Sequence, residues 1–206
     1  MEKENSMQDT NGNLKTIIKN KIMYLVYDTE TNGFPPKARM TQLSFCLFTE
    51  TGEIVKTYQA FCKPDGWEIP KEKFFIENGM STERNEELGI PVFEILREFQ
   101  EALKQCKYKI AHNHTFDNQI VANEIAFAGI EPALFKYKKS FCTMLNTVEY
   151  VGAINKWGKP GKWPNLQELH KKCFGVEFDG AHDSLADVKA TMDCFLYLKK
   201  NKIILI

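Results

Sequence analysis

Five side chains carry the chemistry that this sequence can do, and the first two, Asp28 and Glu30, close the apolar run Met23–Gly33, MYLVYDTETNG. Side chains alternate faces along an extended strand, so these two carboxylates project from one face. Like charges held that close repel unless a cation or a proton lies between them. A strand that delivers paired carboxylates to solvent is therefore read as half of a divalent-metal site, whose other half must come from further along. Asp117 opens a helical stretch after a short strand, and its local explanation is that an acid there favours the positive end of the helix dipole. Asp187 ends Gly180–Asp187, where Ser184 to Asp187 fits the S-x-x-D capping box, and His182 stands five residues before it. Each has a structural explanation when taken alone. Four carboxylates at strand and helix ends, with an imidazole beside the last, point to a joint site.

The elements that must position these groups are legible in the hydrophobic pattern. A first strand is expected at about Ile22–Asp28, followed by the loop Asn32–Pro36. Thr41–Phe48 and Ile54–Cys62 flank a short Gly-containing connection and read as a hairpin, which makes the start of the domain a three-stranded antiparallel meander. From Lys63 to Ile90 the pattern is irregular, punctuated by Pro64, Gly66, Pro70, Gly79 and Gly89, and reads as a long functional loop. Pro91 suits a helix start, with Val92, Ile95, Leu96, Phe99 and Leu103 at helical spacing. The strand Tyr108–Ala111 leads through His112–Asp117 into a helix carrying Ile120, Val121, Glu124, Ile125 and Ala128, stopped by Gly129. A helix near Thr143–Tyr150 and a loop over Gly152–Pro164 come next. Asn165 then caps the helix of Leu166, Leu169 and Phe174. The last helix starts near Ser184 and buries Leu185, Val188, Met192, Phe195 and Leu198. The apolar end Ile203–Ile206 is open to three readings: a final strand, a packed tail or a contact surface.

With 206 residues, 43% of them apolar, the chain can bury one proper core. Residues 1–20 are polar and without period and read as a disordered arm, leaving 21–206 as a single domain. The 27 basic and 27 acidic residues cancel, so any polyanion must be met by a local basic rim rather than a global field. The six scattered cysteines form no CxxC pair and suit buried, reduced thiols in a cytoplasmic protein. No apolar run approaches the roughly 18 residues of a membrane span, and the polar start lacks a signal-peptide core.

Asp28–Gly33 (DTETNG), the N-x-x-F-D of Asn113–Asp117 and the H-x-x-x-x-D of His182–Asp187 resemble, in order and approximate distance, the three motifs of the DEDDh (DnaQ-like) 3′–5′ exonuclease family. The resemblance covers roughly residues 22–199. It implies an α/β, ribonuclease H-like fold: a mixed five-stranded sheet, its first three strands antiparallel, flanked by helices. It also implies that Asp28, Glu30, Asp117 and Asp187 are metal-site carboxylates and His182 the general base. The chemistry agrees, since hard Mg²⁺ or Mn²⁺ takes oxygen ligands. One of two such ions can activate water while the other steadies the leaving 3′ oxygen. Histidine accepts a proton near neutral pH. The expected reaction is hydrolysis from a single-stranded 3′ end, releasing 5′-mononucleotides. DNA is the expected substrate, with short or structured RNA and a catalytically silent nucleic-acid-binding module as alternatives. A DNA polymerase or repair complex is a further possible partner.

By the same resemblance Thr31, Asn32, Gly33 and Phe34 meet the terminal nucleotide, and Phe34 either stacks on a base or caps the core. Many relatives carry His-Gly-Ile/Leu where this chain has Glu77-Asn78-Gly79-Met80, so Asn78 and Met80 become the candidate contacts there, as donor and wedge. His112, Asn113 and Phe116 complete the candidate substrate set, with Phe116 expected beneath the metal site and Asn113 ordering its turn. His112-Asn113-His114 superficially spells an HNH string without the context of that nuclease. Gln42–Phe45 resembles a sliding-clamp peptide but falls in a central strand. Lys136, Lys138, Lys139, Lys156, Lys159 and Lys162, interleaved with Tyr137, Trp157 and Trp163, form the candidate nucleic-acid rim or else a solvated loop.

Overall fold

The computed structural model describes residues 22–206, so the expected arm over residues 1–20 lies outside the described residues. Five strands, β1 (Met23–Thr31), β2 (Met40–Thr49), β3 (Ile54–Phe61), β4 (Tyr108–Ala111) and β5 (Lys139–Cys142), form one sheet in the order β3-β2-β1-β4-β5. The first three pair antiparallel, while β4 runs parallel to β1 and β5 parallel to β4. This is the mixed ribonuclease H-like sheet that the motifs implied. Strand β1 extends three residues past its expected end, so both its carboxylates stand within the strand.

Helices cover both faces. Leu25, Tyr27, Leu43, Phe45 and Leu47 bury one face of the sheet against α3 (Val92–Gln105) and α4 (His114–Phe127). Tyr24, Val26, Cys46, Phe48 and Ile110 bury the other against α7 (Leu166–Phe174) and α8 (Ser184–Lys200). The alternation of β1 thus sends odd-numbered side chains to α3 and α4 and even-numbered ones, Asp28 and Glu30 included, toward α8. All six cysteines are free and buried. Among the described residues no helix is long and apolar enough to cross a membrane.

Several expectations need correction. The stretch Lys63–Ile90 is not a single irregular loop: it contains α1 (Lys73–Glu77) and α2 (Thr82–Leu88). Both are too short to show a clear apolar period. Ser81 caps α2 by accepting from the Arg84 N–H at 3.1 Å. Gly89 follows because a Cβ there would stand 2.2 Å from the Asn85 carbonyl oxygen. Two elements were missed, α5 (Ala133–Tyr137) and β5, since the lysine-rich KYKKSFC does not read as a strand. The helix expected near Thr143–Tyr150 is a 3-10 turn at Leu145–Thr147 running into α6 (Val148–Val151). The apolar end is a packed tail, with the Ile203 N–H donating to the Leu198 carbonyl at 2.9 Å and Ile204 buried on α8.

Candidate active site

Strands β1 and β4 pair only from Tyr24–Tyr108 to Val26–Ile110. Beyond that register they part, and the first turn of α4 enters the gap. Asp117 therefore reaches β1 from the side, its Oδ1 accepting from the Thr29 N–H at 3.0 Å and the Thr29 hydroxyl at 2.8 Å. This opening lies beyond the carboxyl ends of parallel strands, where open α/β sheets bind their ligands.

On the opposite face, the pairing places Ser44 beside Asp28 and Gln42 beside Glu30. The start of α8 docks on these two polar neighbours. The Ser184 and Ser44 hydroxyls lie 2.7 Å apart in a buried contact, and the Ser184 N–H donates to Gln42 Oε1 at 3.4 Å. The capping box expected from Ser184 is not what starts the helix. Asp183 is the cap, its Oδ1 accepting from the Leu185 and Ala186 N–H groups at 3.1 Å each, and it also accepts from Gln59 Nε2. With that turn fixed, Asp187 faces the strand. Carboxylate oxygens of Asp28, Glu30 and Asp187 all lie within 4.8 Å of one another. Asp117 stands outside that trio.

The electrostatics are those of an uncompensated acidic cluster. Among the described residues none of the four carboxylates pairs with a lysine or arginine. Burial, then the neighbouring charges of Asp117, Glu30 and Asp187, holds Asp28 well above the usual carboxylate range. Burial, then the charges of Asp187, Asp117 and Asp183, push Glu30 up to about 8. Asp117 is raised by burial to about 7 although its Thr29 bonds oppose the shift. Asp187 is raised by burial to about 6, against the N–H of His182. An all-oxygen donor set with excess negative charge fits hard divalent cations.

His182 is exposed and takes a left-handed backbone, φ 71°, which non-glycine residues adopt at a cost. That turn lets its N–H donate to Asp187 Oδ2 at 3.3 Å, while its ring meets Phe74 of α1 edge-on at 5.3 Å. Two clefts open on either side of this contact. One, of about 250 Å³, is lined by Glu30, Gln42, Asn78, Met80, Arg84 and His182. The other, of about 420 Å³, is walled by Thr31, Gly33, Phe34, Phe74, Phe75 and Phe116.

The candidate substrate residues separate accordingly. Phe34 is 85% exposed, so it does not cap the core, and it meets Phe116 edge-on at 6.5 Å. Phe116 is half-buried in the cleft wall rather than beneath the carboxylates. Asn32 is occupied in holding its loop, donating to the Glu68 carbonyl and accepting from the Arg39 N–H, and Thr31 donates to the Gly33 carbonyl at 2.7 Å. Asn78 ends α1 and donates to the Phe74 carbonyl, while Met80 lines the smaller cleft together with His182. Two candidates are not brought to the clefts. His112 is turned inward, with Nδ1 at 3.0 Å from Thr143 Oγ1 and Nε2 at 2.9 Å from the Pro164 carbonyl. Asn113 is exposed, makes no side-chain cap, and orders its turn through its carbonyl, which accepts from Phe116 and Asp117. Sequence reasoning missed Asp183, Phe74 and Arg84. Only Asp183 left a signal, as a strong cap residue directly before an apolar-periodic helix.

The exonuclease family typified by RNase T matches residues 25–195, and the chain belongs to it. No curated protein matches the sequence. Among solved structures, the fold is similar to E. coli exonuclease I bound to a dT13 oligonucleotide, with TM-score 0.75 and 18% identity over 88% of this chain and 42% of that one. A product-bound exonuclease I gives 0.74 and 17% over 89% and 45%. A zinc-bound E. coli exonuclease I–single-stranded DNA complex gives 0.72 and 19% over 89% and 41%. The chain thus spans less than half the length of these relatives.

Proposed function

We propose that the protein is a 3′–5′ exonuclease that hydrolyses single-stranded nucleic acid, DNA in the first instance, one 5′-mononucleotide at a time with divalent cations. The observation that carries this reading is the convergence of Asp28, Glu30 and Asp187 oxygens within 4.8 Å with no cationic side chain among them. Asp28, Glu30 and Asp187 would hold Mg²⁺ or Mn²⁺, with Asp117 available as a fourth carboxylate through the oxygen that its Thr29 bonds do not use. When bound, such ions supply a more acidic attacking water and a counter-charge for the leaving 3′ oxygen.

The remaining work falls to the chain. His182 stands on an exposed turn beside Asp187 and takes the proton of the attacking water on its imidazole. Phe34, Phe116 and Phe74 offer aromatic faces to a terminal base in the larger cleft. Met80 and Arg84 border the smaller one. Single-stranded DNA is favoured because the oligonucleotides named with the similar structures are of that kind.

Digestion of matched 5′-labelled DNA and RNA oligomers, single- and double-stranded, with Mg²⁺ or Mn²⁺ tests the reading. A ladder shortening from the 3′ end, absent in EDTA and in Asp28→Asn, is expected. Cleavage at internal positions or no cleavage with either ion would refute it.

A further inference from the structure

The lysine- and aromatic-rich segments identified in the sequence fall at opposite ends of the sheet. Strand β5 runs parallel to β4 with Lys139 opposite Tyr108, so Lys136, Tyr137, Lys138 and Lys139 gather at the end away from the carboxylates. The segment Ala153–Pro164 lies instead beyond the carboxyl ends of β4 and β5. Its foot is bonded to the loop that delivers Asp117, since Pro164 accepts from His112 at 2.9 Å.

That segment is a built hairpin rather than a loose loop. Ile154 and Pro160 form an antiparallel bridge. The Asn155 N–H donates to the Lys159 carbonyl at 2.9 Å, and the Lys162 N–H to the Ala153 carbonyl at 3.3 Å. Asn155 Oδ1 closes the tip by accepting from the Trp157 and Lys159 N–H groups at 2.9 and 3.1 Å. Lys162 braces the base by donating to Glu168 of α7 at 2.6 Å. This hydrogen-bonded arm nevertheless leaves Trp157 72% and Trp163 63% exposed. Lys156 stands over the Trp157 ring at 4.6 Å, and neither Lys156 nor Lys159 pairs with a carboxylate among the described residues.

Burying large aromatic area against solvent is the usual use of such side chains, and a fold that stiffens a turn to expose two of them presents a binding face. The unpaired lysines make that face cationic, which suits a polyanion whose bases have free π-faces. We propose that the Ala153–Pro164 hairpin is a stacking arm for single-stranded nucleic acid, holding the strand upstream of the nucleotide being removed. It rests on the exonuclease reading above. It adds a site outside the catalytic cleft that acts only on substrates long enough to reach it.

The test separates the two. Hydrolysis of a 5′-labelled dT20 and of a dinucleotide is compared for wild type, Trp157→Ala/Trp163→Ala, Trp157→Phe/Trp163→Phe and Lys156→Ala/Lys159→Ala, with Lys136→Ala/Tyr137→Ala as a control at the far end. The alanine pair is expected to raise KM for dT20 about tenfold or more while kcat, and the dinucleotide rate, stay unchanged; the phenylalanine pair restores most of the loss. Removing both lysines should flatten the salt dependence of dT20 binding by about 1.4 in log–log slope. Binding of dT20 in EDTA should also quench the tryptophan emission. Equal effects on both substrates, no effect on dT20, or an unquenched signal while turnover persists would overturn the arm, and the hairpin would then serve a protein contact. Loss of turnover on every substrate in the wild type would instead defeat the exonuclease reading.

Discussion

The hydroxyls of Ser44 and Ser184, 140 residues apart in sequence, meet at 2.7 Å in the buried seam between β2 and the first turn of α8. Ser44 is also the cross-strand neighbour of Asp28, so this contact, together with the Ser184 N–H bond to Gln42, seats the helix that carries Asp187 beside the strand that carries two carboxylates. Mutating either serine to alanine leaves the other hydroxyl buried and unpartnered, a cost of about 1–3 kcal/mol. At roughly 2–4 °C per kcal/mol for a chain of this size, thermal melts should show each single variant several degrees below wild type. The double variant Ser44→Ala/Ser184→Ala should lose less than the sum, because it removes both polar groups at once. Strictly additive losses would mean that the two hydroxyls are satisfied independently.

The carboxylate cluster makes the stability of the metal-free protein depend on pH in a direction that can be worked out. The folded values of Glu30, Asp117 and Asp187, about 8, 7 and 6, all lie above the ordinary carboxyl range. A group whose folded pKa is raised contributes stability that is fully present below its unfolded pKa and is lost as pH rises through the folded one. In EDTA, Glu30→Gln should therefore melt progressively higher than wild type as pH rises from 5 to 8.5. Taking the difference between the two proteins cancels titrations elsewhere. Mn²⁺ should raise the melting temperature of wild type more at pH 8 than at pH 6, since cation and proton compete for the same oxygens, and should do little for Glu30→Gln. A pH-independent difference between variant and wild type would contradict the cluster.

The limits of what the sequence carried follow from the same geometry. The two-residue spacing of Asp28 and Glu30 was enough to place them on one face, because alternation is a local property of a strand. Their meeting with Asp187 was not local: it depends on Gln42 and Ser44 seating α8, and polar residues in a central strand look like ordinary punctuation until the pairing register is known. Asp117 was expected near the strand edge, but its bonds to Thr29 arise because β1 and β4 separate after Val26, a fact of tertiary register. Helices α1 and α2 escaped notice because five and seven residues are too few to display a period, and with them went Phe74 and its contact to His182. His112 sat in a motif-like string, yet its ring serves the core.

That buried histidine makes a further prediction. Burial lowers His112 to about 4, against the opposing pull of the Pro164 carbonyl. A depressed pKa contributes stability that is present above the unfolded value and is lost as pH falls through the folded one, here between about 6.5 and 4. Protonation would give both ring nitrogens hydrogens and force the Thr143 hydroxyl to turn from donor to acceptor. His112→Gln should accordingly show a flatter acid limb than wild type in melts from pH 7 to 4, while losing stability at pH 7 through its poorer fit. A wild-type acid limb retained in full would assign that limb to other groups.

His182 differs from the carboxylates in being exposed and tied to the site by its backbone alone. Its side chain contributes no oxygen to the acidic trio, so removing it should separate proton transfer from cation binding. His182→Ala is expected to lower kcat by about 10²–10⁴-fold near neutral pH, and the melting-temperature increase produced by Mn²⁺ should remain that of wild type. The left-handed turn at this position adds a second expectation. His182→Gly, which adopts positive φ at no steric cost, should lose the same activity yet melt no lower than the alanine variant. If His182→Ala kept full activity from pH 6 to 8, the proton would have to leave by another route. If it instead abolished the Mn²⁺ response, the imidazole would belong to the cation site itself.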